Sequence, residues 1–230
     1  MWRKVEVEML TGQDGTGIPC LCVTNRKLCR GDFLERIRRI AGREISLKSS
    51  GKAAGGSGWE TGETGMTADA IVLREKDLTE EEYFFLAEKV LNICGDFAMP
   101  CILHTFYRAA KQLGCRRIHL PLDVFGQMDP DASFDVIGTS VHSVEQARQA
   151  VLLGAGYVTA GHVFATDCKK GLPGRGLPFV REVVHAAGIP VYGIGGINAA
   201  NAPSVMKEGA SGVCIMSGFM RETSNTGKDA

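Results

Sequence analysis

Eight short apolar runs, most of them followed by a stretch with helical periodicity, constrain this 230-residue chain more than any other feature. The runs are Pro19–Thr24, Ala68–Arg74, Pro100–His104, Arg117–Pro121, Val136–Val141, Tyr157–Val163, Pro190–Gly195 and Gly212–Met216. They are rich in Ile, Val, Leu and Cys and show little polar alternation, the signature of parallel strands covered on both faces. Helical segments lie between them. Asp32–Ala41 places Phe33, Ile37 and Ile40 on one face. Thr79 opens TEEEYFFLAEKVLNICG, with an N-cap, an acidic first turn and Gly95 as the expected stop. Ser143 opens SVEQARQAVLLGAG, a second capping signature that ends at Gly154. Pro178–Ala187 and Ala199–Glu208 follow, the latter ended by Gly209. Repetition of this kind predicts an α/β chain, and eight strands favour a single (β/α)8 TIM barrel over residues 1–230 rather than an open doubly wound sheet.

Two regions depart from the repeat. Residues 46–67 (SLKSSGKAAGGSGWETGETGMT) read as a flexible insertion between the first helix and the second strand, at the bottom of the barrel. After Met216 only SGFMRETSNTGKDA remains, room for one helical turn and a tail over residues 219–230, so the eighth helix is truncated. The groove beside strand 8 is then left to the N-terminal segment, to a partner chain or second copy in a homo-oligomer, or partly open. Charge is balanced at 26 Lys+Arg against 26 Asp+Glu, which argues against wrapping nucleic acid or coating an acidic membrane. No run approaches the roughly 18–20 apolar residues of a membrane span. The start, MWRKVEVEML, lacks the apolar core of a secretory signal. The eight cysteines form no C-x-x-C pair, and several sit inside apolar strands as small hydrophobes. The expectation is a reduced, cytoplasmic protein without a structural zinc site.

In such a barrel the chemistry sits at the carboxyl ends of the strands. Those ends carry Arg74-Glu75-Lys76, His104, Pro121, Ser140 with His142, and His162 followed by Thr166-Asp167-Cys168-Lys169-Lys170. Gly195-Gly196 and Ser217-Gly218 close the series. Paired glycine turns after the last two strands expose backbone N–H groups to an anion, so a small phosphorylated substrate is expected there. Arg74 and Lys76, two apart, point to one side and read as an anion clamp. Lys169 and Lys170, with Gly171 and Gly174-Arg175-Gly176 after them, read as a lid. These five cations share one end of the barrel despite the zero net charge. His104, His142 and His162 can exchange protons near neutral pH, or hold a metal between them; their spacing does not decide. The lack of acidic neighbours favours proton transfer. His119, inside a strand, reads as packed, and His185 as a surface residue of the sixth helix.

IGTSVHSVEQA, GYVTAGHVFATDCKKGLPGRG, PVYGIGGINAAN and GASGVCIMSG resemble the thiamine phosphate synthase superfamily, and the second resembles its TenI branch, the thiazole tautomerases. CLCVTN and VLREK fit the same family's first two strands, so the resemblance runs from Cys20 to Gly218. It implies a cofactor-free isomerase of thiamine biosynthesis that moves a proton from the ring carbon bearing the carboxylate to the exocyclic carbon of a carboxythiazole phosphate. By the same resemblance His142 is the catalytic histidine; His104, from its place at the end of strand 3, is a candidate assistant. Gly195, Gly196 and Ser217 match the phosphate cradle, and Thr166, Cys168 and Lys169 match loop positions that touch the thiazole phosphate. Arg74, Lys76, Ser140 and His162 complete the expected substrate contacts. Synthases of the family carry an Asn-Asp pair after strand 3 and a second metal-binding Asp after strand 4. Here those positions read His104-Thr105 and Pro121-Leu122-Asp123-Val124, with Asp123 one place off, and the pyrimidine-contacting Gln is Val72. No metal is therefore expected. A degenerate synthase and a non-catalytic ligand-binding or regulatory protein are the alternatives.

Overall fold

The computed structural model describes residues 17–48, 65–129, 132–169 and 171–221. All eight strands form: β1 (Cys20–Val23), β2 (Ala70–Leu73), β3 (Cys101–His104), β4 (Arg117–Pro121), β5 (Val136–Val141), β6 (Tyr157–Gly161), β7 (Val191–Ile194) and β8 (Gly212–Ile215). Each pairs in parallel with the next, and β8 returns to β1, so the sheet closes into the expected barrel. Pro19, Pro100 and Pro190 stand just before their strands. Lacking an N–H they cannot donate to the ladder, but their carbonyls accept from Val213, Ile71 and Val158 at 2.9–3.0 Å.

The helices are α1 (Phe33–Ala41), α2 (Glu80–Asp96), α3 (Tyr107–Gln112), α4 (Leu122–Gly126), α5 (Val144–Leu152), α6 (Gly176–Ala187), α7 (Ala202–Lys207) and α8 (Ser217–Met220). Asp32 caps α1 by accepting from the Glu35 N–H at 2.7 Å. Thr79 and Glu82 form a full capping box at α2. Gly95 does not stop α2. It lies in the last turn, and the chain turns at Ala98, whose φ is 51°. α7 starts later than Ala199 because the Asn198 side chain first accepts from the N–H groups of Ala200 and Asn201, shaping a turn. α8 is the single helical turn expected.

The long insertion falls mostly outside the described residues, but its ends do not. Leu47 and Met66 exchange two backbone hydrogen bonds of 2.8 and 2.9 Å in an antiparallel bridge. Leu47 is buried and lies against Gly218, while Arg36 of α1 reaches the Met220 carbonyl. Among the described residues, then, the flank of α8 is covered by α1 and by the base of the insertion. Phe219 and Met220 are fully buried.

Alternation along the strands separates two cores. Cys20, Cys22, Ile71, Leu73 and their equivalents pack with the helices. The second cluster contains strand residues alone, among them Leu21, Val72, Ile102, Val136, Tyr157, Tyr192 and Cys214, and so fills the barrel. Glycines opposite the tyrosines make that filling possible. A Cβ at Gly138 would run into the Tyr157 ring, and one at Gly212 would sit 2.6 Å from Tyr192 Cε1. The rings meet edge to face at 5.6 Å. Their hydroxyls differ: Tyr157 Oη lies 3.0 Å from His119 Nδ1, whereas Tyr192 Oη is buried without a partner among the described residues. Tyr192→Phe is therefore expected to keep or raise stability, and Tyr157→Phe to lower it by about 0.5–1.5 kcal/mol in urea unfolding. Equal losses for both would contradict this account.

Candidate active site

The open strand ends surround a cavity of ≈ 1390 Å³. Twelve of the residues expected from the sequence line it: Arg74, Lys76, His104, Ser140, His142, His162, Thr166, Cys168, Lys169, Gly195, Gly196 and Ser217. Arg175 does not, because its guanidinium stacks 5.2 Å over the Phe179 ring. Lys170 lies outside the described residues. Arg221 and Asp167 line the mouth as well and pair at 3.3 Å. Both are exposed, so the pair contributes little. Among the described residues, Arg74, Lys76, Lys169 and Arg221 line the opening with Asp123 and Asp167, so cations outnumber carboxylates there.

Alternation past the end of β2 sends Arg74 and Lys76 into the mouth and Glu75 away from it. Glu75 is 2% exposed and fully paired. It accepts from Thr24 Oγ1 at 2.7 Å, from the Arg26 N–H at 3.0 Å and from the Arg26 guanidinium at 3.3 Å. Thr24 Oγ1 in turn accepts from the Arg74 N–H at 2.9 Å. The buried carboxylate thereby ties the loop after β1 to the backbone that carries the two cations. Lys76 has a lowered pKa, first through partial desolvation and then through Arg74, with Asp123 opposing.

His142 follows β5, and its backbone is held by the helix that starts beside it. Its N–H donates to Gln146 Oε1 at 2.6 Å, while Ser143 Oγ accepts from the Gln146 N–H at 3.1 Å. The ring Nδ1 lies 2.8 Å from the Gly161 carbonyl. A carbonyl only accepts, so Nδ1 carries the proton and Nε2 is left as the basic nitrogen.

Below the rim lies a neutral polar layer. His104 and His119 are 5% and 3% exposed, with ring centroids 5.1 Å apart. Burial first, and then neighbouring His119, Lys76 and Arg74, hold His104 well below the usual imidazole range. Burial, Lys76 and Arg74 push His119 down to about 3. Tyr157 Oη has no other acceptor among the described residues, so it donates to His119 Nδ1. His119 Nε2–H then donates to Ser140 Oγ at 2.9 Å, which also accepts from Thr159 Oγ1 at 3.1 Å. Ser140 keeps its own proton for a ligand. His119 is packed, as its position inside a strand suggests, but its role as the support of Ser140 and the bond from Tyr157 have no signal in the sequence.

The glycine turns after β7 and β8 need their glycines. Gly195 and Gly196 have φ of 99° and 66°. A Cβ on Gly196 would sit 2.5 Å from the Ala165 carbonyl. The N–H groups of Gly196, Ser217 and Gly218 meet no acceptor among the described residues. His162 sits beside the turn, its Nε2 3.4 Å from the Leu172 carbonyl.

Fold and mouth define a (β/α)8 barrel whose strand ends gather cations, histidines and open backbone donors. A family model described as thiamine monophosphate synthase (TMP-TENI) matches residues 20–219. A thiamine-phosphate synthase of Roseiflexus castenholzii is 36% identical over 156 residues, 65% of this chain and 68% of that protein. One from Fusobacterium nucleatum is 29% identical over 206 residues, 87% of this chain and 88% of the relative. A thiamine phosphate pyrophosphorylase structure from Pyrococcus furiosus superposes with a TM-score of 0.68 over 94% of this chain and 89% of that one; at 23% identity it speaks for the fold. The chain belongs to the thiamine monophosphate synthase family, a family of enzymes. Among the described residues no helix is long and apolar enough to cross a membrane.

The neutral histidines have a consequence for stability. In the unfolded chain an imidazole protonates near pH 6.5, whereas folded His119 stays neutral to about 3. The unfolded state then binds the extra proton, so stability falls as pH drops from about 6.5 toward 3. The urea midpoint is expected to decrease between pH 7 and 5 while the His119 ring resonances stay constant. A His119 resonance titrating near pH 6.5 would contradict this.

Proposed function

We propose that the protein is a thiazole tautomerase, acting on a small carboxylated thiazole phosphate without a metal ion. The observation that carries this reading is the donor set at the ends of β3 and β4. Coupling a pyrophosphate substrate, as the resemblance implies for the synthases, uses Mg²⁺ held by hard oxygen ligands. Here the end of β3 offers the neutral imidazole of His104, with the Thr105 hydroxyl engaged on it at 2.6 Å. Asp123 stands opposite Lys76, and among the described residues no three His, Cys, Asp or Glu side chains are grouped to hold a metal. These residues do not fit a divalent cation.

A proton shift needs less. The phosphate is bound by the open N–H groups of Gly196, Ser217 and Gly218, beside Gly195 and within reach of the loop carrying Thr166, Cys168 and Lys169. Arg74 and Lys76 meet the ring carboxylate and orient the substrate over His142. His142 Nε2 takes the proton from the ring carbon, and the freed electron pair moves into the ring system as it becomes aromatic. The imidazolium then returns a proton to the exocyclic carbon and ends neutral. His104 and Ser140 donate hydrogen bonds from the floor, and His162 flanks the phosphate turn.

A second reading, coupling of a pyrimidine to the thiazole, is favoured by the names of the relatives and by a cavity larger than one small ligand needs. The two readings separate in one set of assays. His142→Asn is expected to lower isomerisation by about 10²–10⁴-fold while thiazole phosphate still binds. The wild-type reaction is expected to persist in excess EDTA, followed by the ultraviolet change on aromatisation. A strict Mg²⁺ requirement with formation of thiamine phosphate would establish the synthase. Ligand binding with no turnover of any kind would establish a binding protein.

A further inference from the structure

The end of β3 holds a backbone conformation that its residue type disfavours. Thr105 has a φ of 71°, in the left-handed region where a β-branched residue is an outlier. The Phe106 N–H donates to the His104 carbonyl at 2.9 Å, closing a γ-turn centred on Thr105. With a positive φ at its centre this is the rarer and strained form of that turn. The surroundings impose it. The Thr105 N–H extends the ladder to the His119 carbonyl at 2.9 Å, and the Tyr107 N–H returns to the Thr105 carbonyl at 3.0 Å as α3 begins. A glycine would adopt this turn freely, yet the chain keeps a threonine.

The side chain supplies the reason. Thr105 Oγ1 lies 2.6 Å from His104 Nδ1 and meets no other partner among the described residues. A hydroxyl can donate or accept; donation from Thr105 to Nδ1 places the ring proton on Nε2, and this is the direction assigned in the role proposed for it. His104 is 5% exposed, lines the cavity, and its Nε2 has no protein partner among the described residues. Around this ring stand His119 of β4 and the cations Arg74 and Lys76 after β2.

We propose that Thr105 is a positioning residue: the strained turn holds its hydroxyl on His104 Nδ1, fixing the tautomer and aim of a ring that presents an Nε2–H donor to the bound ligand. Strain is kept where a fixed donor geometry is required. The idea deepens the tautomerase reading, since His104 is the floor donor in that scheme, but its geometry does not depend on the reaction.

Three variants test it: Thr105→Gly relieves the turn and removes the hydroxyl, Thr105→Ala removes the hydroxyl alone, and Thr105→Ser keeps it. In ¹⁵N-histidine-labelled protein, with His104→Gln used for assignment, wild-type and Thr105→Ser are expected to show His104 as the pure Nε2–H tautomer. Thr105→Gly and Thr105→Ala should show a mixture. Thr105→Gly should melt about 2–4 °C above Thr105→Ala. Isomerisation should fall by at least about tenfold in kcat, with little change in KM, for both variants lacking the hydroxyl, and recover in Thr105→Ser. A wild-type Nδ1–H tautomer, or a tautomer unaffected by Thr105→Gly, overturns the proposal. The resonance and melting measurements need no substrate. Absent wild-type isomerisation together with the expected tautomer shift would therefore refute the reaction and leave the positioning role standing.

Discussion

The site rests on the hydrogen bond between Tyr157 and His119. It joins the apolar filling of the barrel to the polar floor of the mouth. Below it, the ring of Tyr157 occupies space that only a glycine at 138 leaves open. Above it, His119 stacks near His104 and supports Ser140, whose own hydroxyl proton is left for the cavity. One side chain thus performs two tasks with different physics, dispersion at the ring and a directed bond at the hydroxyl. Tyr192 fills the same layer with no such bond, so the pair distinguishes packing from organisation.

The strands were legible because parallel strands buried on both faces leave near-continuous apolar runs, and nothing else in the chain imitates them. Capped helices were legible for an equally local reason: Asp32, Thr79 and Ser143 all accept the N–H three residues on. α3 and α4 were not, since each is short and starts without a side-chain cap. Gly95 misled because an exposed glycine can sit in a last helical turn, while the true reversal falls on Ala98.

At the site, residues that face the mouth could be read from strand-end position, because the barrel imposes that geometry whatever the side chains are. Their supports could not. Glu75 stands between two cations in sequence and looks like part of their cluster, yet its carboxylate is turned outward and buried against Thr24 and Arg26, some fifty positions earlier. Arg175 looked like a member of the cationic end, but an aromatic ring nearby captures it. Thr105 gave no sign at all. A positive φ is visible in a sequence when a glycine bears it, and here a threonine does.

The electrostatic layout divides labour by depth. Charge stands at the rim, where Arg74, Lys76 and Lys169 remain partly hydrated and free to meet an anion. The floor is neutral, because burial above all, with Lys76 and Arg74 adding to it, opposes protonation of His104 and His119. A neutral imidazole donates one N–H and accepts at the other nitrogen, so the direction of each bond is set by its partner: Tyr157 for His119, the Gly161 carbonyl for His142 and, in the role proposed for it, Thr105 for His104. Only His142 is then left with a basic nitrogen among these three, and it is also the one nearest solvent. The proposed proton shift follows this division: of the three rings His142 alone keeps an open accepting nitrogen, His104 is the floor donor, and His119 acts only through Ser140.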